Sequence, residues 1–381
     1  MSERTFYEFF AGGGMARAGL GDGWRCLYAN DFDPKKAASY RANWGAAEMR
    51  EGDVWEVAPF ELPGQADLAW ASFPCQDLSL AGLGAGLEGD RSGAVRGFWR
   101  LMMHLRSERR APRVVVLENV CGLLTSRGGE DFRELCRALG TGGYRFGALV
   151  IDAAGFVPQS RPRLFVVGFR DDLDMGGMPV SKRSNPRWHP KALREVAGSL
   201  NDALALRWLW LDPAAPLGRN TALIDLLEAD PADAPWRSEE ETAKLLAMMS
   251  LGNAAKVRAA ARSGGRFVGA VYKRTRVEDG RKVQRAEVRF DGLSGCLRTP
   301  GGGSSRQVLL VVEDGRVRSR LISARETARL MGLPDEYKLP ARYNDAYHLT
   351  GDGLAVPVVR FLAETVIEPA LDGAGQALVA A

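Results

Sequence analysis

The chain has 381 residues, of which 46% are hydrophobic and 26% are charged, a composition typical of a globular protein large enough for two domains. No run reaches the eighteen or so apolar residues that a membrane span needs, and the first residues do not resemble a signal peptide, so we expect a cytoplasmic protein. Five cysteines without a C-x-x-C pair and three scattered histidines argue against both a disulfide framework and a metal site.

The net charge of +4 is unevenly distributed. Residues 256–320 contain sixteen Lys and Arg against six Asp and Glu, so this window carries +10 and the remainder of the chain −6. Such a run often forms only a solvated surface. An excess of this size, with Gly and aromatic residues interleaved, favours a polyanionic partner.

The N-terminal segment predicts the start of a nucleotide-binding βαβ unit. Residues 5–10 form a buried strand, 11–14 a glycine turn and 15–20 a helix, although the glycine spacing differs from G-x-G-x-x-G. The second strand, 24–29, leads to Asp31, where a carboxylate can accept both ribose hydroxyls of an adenosine. The alternative is a cap for the helix beginning near residue 34, and the two roles would then fall to Asp31 and Asp33 separately.

Later strands bring reactive groups to the same predicted sheet edge. Strand 66–72 runs into Cys75, the glycine-rich segment 79–92 suggests a loop that closes over a substrate, and strand 113–117 ends at Glu118. Strands 144–151 and 164–169 are expected to pair, with Arg161 and Arg163 beside the second. A free cysteine is usually a small buried apolar residue. Because ligands of open α/β sheets bind outside the carboxyl ends of strands, the convergence of these groups favours a nucleophilic role for Cys75.

The second half of the chain predicts a different module. Residues 171–190 are rich in Gly, Pro and polar residues, which indicates the exit from the first domain. A capping box at Ser238 and Glu241 predicts one helix through about residue 262. The basic window then contains short alternating segments at 267–271, 283–290 and 308–312, followed by a helix at 323–331.

The ordered motifs resemble those of the cytosine-5 DNA methyltransferase family, from the first strand to the last helix. They are Phe10-Ala11-Gly12-Gly13-Gly14, Phe73-Pro74-Cys75-Gln76, Glu118-Asn119-Val120, Gln159-x-Arg161-x-Arg163 and Arg325-Glu326-x-Ala328-x-x-Met331-Gly332-x-Pro334. The resemblance implies an α/β, Rossmann-like methyltransferase domain at 1–175, completed by 345–381, whose mostly parallel sheet has an antiparallel last strand. It also implies a smaller β- and loop-rich target-recognition domain at 176–320 and a connecting segment at 321–344.

The same resemblance implies the chemistry. S-adenosylmethionine would be the cofactor and S-adenosylhomocysteine the product, without a metal. Cys75 would add to carbon 6 of a flipped cytosine while Glu118 donates a proton toward ring nitrogen 3. Arg163 would orient the base, with Arg161 and Gln159 supporting that site. The enamine formed would take the methyl group before Cys75 is eliminated.

Cofactor and DNA contacts are also carried over by resemblance. The expected cofactor-binding residues are Phe10, Gly12, Gly14, Asp31, Phe32, Asp53, Val54, Pro74, Asp352 and Leu354. The expected DNA-binding residues are Gln76, Ser79, Arg91, Arg298, Thr299 and Arg306. This sequence has Gly351-Asp352-Gly353-Leu354 where the family usually has Gly-Asn-Ser-Val.

The expected partner is duplex DNA, bound by a monomer, with a cognate restriction endonuclease possible in the same organism. A rival interpretation is the same chemistry on transfer RNA, since one branch of the family resembles the DNA enzymes; the long basic region speaks against it. The other rival is a DNA-binding regulator with an inactive site, but such a protein has no use for a nucleophile.

Overall fold

The structure is a computed structural model that describes residues 3–74, 93–278, 280–299 and 306–379. The chain divides into two compact units. Unit 1 comprises Met1–Asp152, Pro162–Pro216 and Val358–Ala381, and unit 2 comprises Ala153–Arg161 and Leu217–Pro357.

Unit 1 contains a nine-stranded sheet. Its strands are β1 (Arg4–Phe9), β2 (Trp24–Asp31), β3 (Met49–Glu51), β4 (Leu68–Ser72), β5 (Val114–Val120), β6 (Tyr144–Asp152), β7 (Pro162–Arg170), β8 (Val180–Ser181) and β9 (Trp208–Leu211), in the order β3-β2-β1-β4-β5-β7-β6-β9-β8. The first five pair in parallel, whereas β7 runs antiparallel to both β5 and β6. The predicted pairing of 144–151 with 164–169 is thereby confirmed.

The helices follow the hydrophobic pattern of the sequence. They are α1 (Met15–Leu20), α2 (Pro34–Trp44), α3 (Ala94–Ser107), α4 (Glu130–Thr141), α5 (Lys191–Gly198), α6 (Asp202–Ala205), α7 (Glu239–Ala247), α8 (Leu251–Arg262), α9 (Ala324–Leu330), α10 (Tyr343–Asp352), α11 (Val356–Leu362) and α12 (Glu368–Val379). In α3, Phe98, Leu101 and Leu105 recur at helical spacing and are fully buried. Phe98 packs edge-on against Phe9 of β1, with ring centroids 5.0 Å apart, so this face belongs to the core of unit 1. Within the described ranges, no helix combines the length and apolar character needed to cross a membrane.

Unit 2 is built on an antiparallel sheet with the order β11-β10-β12-β13. Its strands are β10 (Arg266–Glu278), β11 (Arg281–Arg289), β12 (Val308–Glu313) and β13 (Arg316–Leu321). Leu245 of α7 and Val257 of α8 share a buried cluster with Val271 and Leu310 of the sheet. The predicted β-rich character of the basic window is therefore confirmed.

The prediction of one helix from 238 to 262 was wrong. Ser238 and Glu241 do form the capping box of α7, but that helix ends at Ala247. Ser250 then caps α8 by accepting from the backbone N–H of Asn253. Between the helices, the Met248 carbonyl accepts from the N–H of Ala286 in β11 at 3.0 Å, so pairing with the sheet takes the place of a continuing helical hydrogen bond.

A buried ion pair anchors β13 to α9 in unit 2. Arg320 and Glu326 have side chains 0% and 1% exposed, and Arg320 Nη1 donates to Glu326 Oε2 at 2.7 Å. Glu326 also completes the capping box of α9 by accepting from the N–H of Ser323. A charge removed from water in this way is tolerated because each partner neutralises the other.

The compact units do not follow the predicted domain ranges. Residues 180–211 supply β8, α5, α6 and β9 to unit 1, although the sequence analysis places them in the recognition domain. Conversely, 153–161 separates β6 from β7 yet belongs to unit 2. The assignment of functions to these ranges stays a prediction.

Candidate active site

Glu118 and Arg163 meet at adjacent strand ends of unit 1. The β5–β7 register pairs Val120 with Arg163, which places Arg163 beside the end of the strand that carries Glu118. Arg163 Nε lies 3.3 Å from Glu118 Oε1, and the two side chains are 17% and 10% exposed. An ion pair so sheltered from solvent is screened less by salt than a surface pair.

The first residues that follow β4 lie beside the end of β5, next to Glu118. Ser72, the last residue of β4, pairs with Glu118 in the parallel register. The buried Asn119 donates from Nδ2 to the carbonyl of Phe73 at 3.1 Å, which fixes the chain just before Pro74. Pro74 is half-buried and is the residue bonded to Cys75. Cys75 itself, like Gln76, Ser79 and Arg91, lies outside the described residues.

The glycine loop between β1 and α1 alternates left-handed residues. Phe10, Gly12 and Gly14 have φ values of 56°, 56° and 78°. A Cβ added to Gly14 would lie 2.3 Å from the indole Nε1 of Trp44, so packing as well as φ requires glycine there. A Cβ added to Gly12 would meet nothing within 4 Å. The loop therefore packs against Trp44 at Gly14, whereas the space beside Gly12 is open.

The carboxylate that ends β2 and the one two residues later have different hydrogen-bond partners, and the predicted capping role belongs to Asp33. Asp33 is the N-cap of α2 and accepts from the backbone N–H of Lys35 at 2.8 Å. Asp31 accepts from the N–H of Gly12 at 2.7 Å and from that of Asp33 at 2.8 Å. Burial raises the pKa of Asp31, partly offset by Lys36. Phe32 presents a ring that is 73% exposed, beside the glycine loop that Asp31 holds.

The segment after β3 is tied back to β2. Asn30 donates from Nδ2 to the carbonyls of Arg50 and Gly52, both at 3.0 Å. Asp53 accepts from the N–H of Trp55 at 3.0 Å and remains partly accessible. Val54 is 2% exposed and its side chain lies in the core of unit 1.

These residues fit a nucleoside-containing cofactor. The open space at Gly12 admits close approach of a ligand to the backbone, and the exposed Phe32 ring offers a flat apolar face. The Asp31 oxygens each use one acceptor position within the protein, which leaves lone pairs for hydroxyl donors.

An acid also lies beneath the glycine loop. Glu8 of β1 is 1% exposed, and burial raises its pKa to about 8, although the backbone N–H groups of Arg17 and Ala16 and the charge of Arg17 oppose the rise. Among the described residues its Oε2 has no hydrogen-bond partner. Glu8 therefore retains its proton at neutral pH and supplies α1 with the capping acceptor that Gly14 lacks.

Gln159 and Arg161 are engaged within unit 2. The fully buried Gln159 donates from Nε2 to the Leu330 carbonyl at 2.9 Å and accepts from the N–H of Leu297 at 3.0 Å. Arg161, 2% exposed, donates to the carbonyls of Leu297 at 3.1 Å, Gly351 at 2.8 Å and Gly353 at 2.7 Å. Both side chains therefore hold the backbone of unit 2 together.

The remaining predicted site residues of unit 2 have different surroundings. Thr299 donates from Oγ1 to Asp352 Oδ1. Arg306 donates to Asn344 Oδ1 and lies over the ring of Tyr343. Arg298 is exposed, whereas Leu354 is 6% exposed and packs inside. Thr299 and Asp352 are thus brought together.

Comparison with known proteins shows the family of this chain. The family described as C-5 cytosine-specific DNA methylase matches residues 4–368, nearly the whole chain. The chain belongs to the C-5 cytosine-specific DNA methylase family. Both the predicted fold class and the predicted activity, methyl transfer to carbon 5 of cytosine in DNA, are thereby confirmed.

Similar proteins cover most of this methylase. It is 27% identical to the Type II methyltransferase M.BsuFI of Bacillus subtilis over 96% of this chain and 72% of the relative. It is 26% identical to the Type II methyltransferase M.HhaI of Haemophilus parahaemolyticus, over 95% and 93% of the two chains. The crystal structure of the S. pombe Dnmt2 methyltransferase matches with a TM-score of 0.61 at 17% identity, over 96% of this chain and 99% of that one, which shows a shared fold.

Two asparagines of this methylase have structural roles that were not predicted from the sequence. Asn119 fixes the chain before Pro74, and Asn30 fixes the segment before Asp53. Each is an amide that stands in a buried strand next to a predicted site acid, Glu118 or Asp31. Because a buried amide must find hydrogen-bond partners, that adjacency is the signal that could have identified them.

Proposed function

We propose that this methylase transfers the methyl group of S-adenosylmethionine to carbon 5 of a flipped cytosine in a specific duplex DNA sequence, with Cys75 as covalent nucleophile. The observation that carries the proposal is the arrangement at the ends of β4, β5 and β7. Glu118 and Arg163 form a sheltered ion pair, and Asn119 fixes Phe73, two residues before Cys75. This arrangement supports the assignment of a proton donor, a cation and a nucleophilic thiol to one edge of the sheet.

The chemistry begins with activation of the base. Carbon 5 of cytosine is a poor nucleophile in a stacked base, so the nucleotide leaves the helix at a cost of a few kcal/mol. The Cys75 thiolate forms a bond to carbon 6 while Glu118 gives a proton to ring nitrogen 3. Arg163 orients the base and the Glu118 carboxyl.

The adduct then has a nucleophilic carbon 5. S-adenosylmethionine, when bound, supplies the methyl group that this carbon takes. Loss of the proton from carbon 5 and elimination of the Cys75 thiolate restore the double bond between carbons 5 and 6. Return of the ring nitrogen 3 proton to Glu118 completes the aromatic product and restores the free enzyme. The glycine loop, Asp31 and Phe32 would hold the cofactor, with Asp31 accepting from the ribose and Phe32 stacking on adenine.

A labelled methyl-transfer assay tests the proposal. Tritiated S-adenosylmethionine is incubated with the protein and plasmid DNA, and separately with transfer RNA. Cys75→Ala should abolish labelling, and Cys121→Ala serves as the matched control. Cys121 is half-buried, and burial raises the pKa of its thiol against the opposing charge of Arg163. Labelling of DNA that survives Cys75→Ala would refute the mechanism, and labelling of transfer RNA alone would refute the substrate.

The basic window provides a second test. If residues 256–320 contact phosphates, affinity for duplex DNA should fall by orders of magnitude between about 50 and 200 mM salt, as expected for six or more contacts. A flat salt dependence would place the DNA on another surface. We also propose that a cognate restriction endonuclease exists in the same organism. That endonuclease should cleave the target sequence only in DNA that lacks the methyl group.

A further inference from the structure

Strand β10 extends well beyond the sheet of unit 2. It pairs with β12 only over Arg266–Val271, whereas its pairing with β11 continues to Glu278. Residues 272–278 and their partners 281–287 therefore form a two-stranded antiparallel ribbon with no β12 beside it, here called the ribbon. At about 3.3 Å per residue its seven-residue strand is about 23 Å long.

The register gives the ribbon two chemically different faces. Directly opposed residues share a face, so Thr275 with Gln284 and Val277 with Lys282 lie on one side, together with Lys273. We call this side the first face. Arg274 with Arg285 and Arg276 with Val283 lie on the other, the second face.

The charges of the second face are largely satisfied within the protein. Glu287 pairs with Arg276 and lies 3.7 Å from Arg274, while Glu278 pairs with Arg285. Arg274 also lies over the ring of Tyr272, 4.7 Å from its centroid. This face carries four arginines against two glutamates, but three of those arginines lie beside carboxylates of the protein itself.

The first face has a different composition. Its described residues include two lysines and no acid. Thr275, Gln284 and Lys282 are exposed, and the Val277 side chain is 71% exposed at the end of the strand. The first face therefore presents an amide, a hydroxyl, an ammonium and an aliphatic side chain side by side on a cationic surface.

We propose that the first face of the ribbon enters the major groove of duplex DNA and reads part of the target sequence. The inference rests on the proposed function and names the residues that select the DNA. The major groove is about 12 Å wide and admits a two-stranded ribbon, whose strands are about 4.8 Å apart. Gln284 can pair with the N6 and N7 edge of adenine, Lys282 with guanine, and Val277 can contact the methyl group of thymine.

The test compares substitutions on the two faces. Wild-type protein first methylates plasmid DNA, and bisulfite sequencing defines its site. Duplexes carrying every single-base change of that site are then methylated by each variant. Gln284→Ala is matched by Val283→Ala, and Lys282→Gln is matched by Arg281→Gln, because each control is the adjacent residue on the opposite face. Equal thermal unfolding of all variants verifies that they are folded.

We expect Gln284→Ala and Lys282→Gln to relax discrimination at individual base pairs by roughly tenfold to a hundredfold. The controls should keep the wild-type site preference, and Arg281→Gln should at most weaken methylation of all duplexes alike. Relative rates within twofold of wild type for both first-face variants would overturn the inference while leaving the activity intact. Equal relaxation by the controls would overturn the choice of face. Wild-type protein that labels no DNA would instead overturn the proposed function.

Discussion

The Glu8→Gln substitution should change how the stability of this methylase depends on pH. Glu8 is 1% exposed, and burial raises its pKa from 4.5 to about 8. The folded protein therefore binds this proton more tightly than the unfolded chain does. The free energy of unfolding should fall as pH rises from about 4.5 to 8 and should level off above 8.

The size of the effect follows from the pKa. Since one pH unit corresponds to 1.36 kcal/mol, a rise from 4.5 to about 8 is worth about 5 kcal/mol over that range. The amide that Glu8→Gln introduces cannot ionise, so the variant loses this slope. Asp31, whose pKa burial also raises, contributes to the pH dependence of both proteins.

Urea unfolding at pH 5.5, 6.5, 7.5 and 8.5 measures the difference. Relative to wild type, the free energy of unfolding of Glu8→Gln should rise by about 1.4 kcal/mol for each pH unit up to about 8. Glu48→Gln is the control, because Glu48 lies 3.4 Å from the same Arg17 but is 26% exposed. Stability curves for wild type and Glu8→Gln that run parallel from pH 5.5 to 8.5 would show that Glu8 is ionised in the folded protein.

Three further substitutions test the packing and the site. Gly14→Ala should lower the free energy of unfolding by roughly 2–5 kcal/mol, since the left-handed backbone and the Trp44 ring both oppose a side chain, whereas Gly23→Ala meets nothing and should change it little in urea unfolding. Glu326→Ala leaves the charge of Arg320 buried and unpaired, so it should lower the free energy of unfolding by about 3–5 kcal/mol. Asp335→Ala removes an exposed partner of Arg329 and should lower it by less than about 1 kcal/mol. A larger loss for Asp335→Ala than for Glu326→Ala would refute the stabilising role of the buried pair. Asn119→Ala frees the Phe73 carbonyl and should lower the methyl-transfer rate about a hundredfold without unfolding the protein, while Gln65→Ala, which removes a similar bond to Ala111, should leave the rate unchanged.

Local patterns in the sequence predicted much of unit 1. The alternation of apolar strands and amphipathic helices was sufficient to predict the first βαβ unit. The capping role of Asp33 also followed from its position just before Pro34, because a cap must precede the first helical turn. In these segments local propensity and tertiary structure agree.

Other features depend on contacts that no short pattern reveals. Strand β8 has two residues and β9 has four, too short for a period to be read, yet both extend the sheet of unit 1. Gln159 and Arg161 bind backbone groups more than 130 residues away in the sequence, which no local pattern could predict. Hydrogen bonds between buried polar groups that are far apart in the sequence become visible only in the structure.

The segment 153–161 limits how unit 2 of this methylase could be exchanged for that of a relative. Unit 2 has two pieces, and a transplant of 217–357 alone would leave Gln159 and Arg161 behind in the host. The donor piece would have to present backbone groups matching those at Leu297, Leu330, Gly351 and Gly353. A chimera should therefore carry the donor's own 153–161 together with the longer piece. The side chains at positions 159 and 161 then keep the backbone carbonyls with which they evolved.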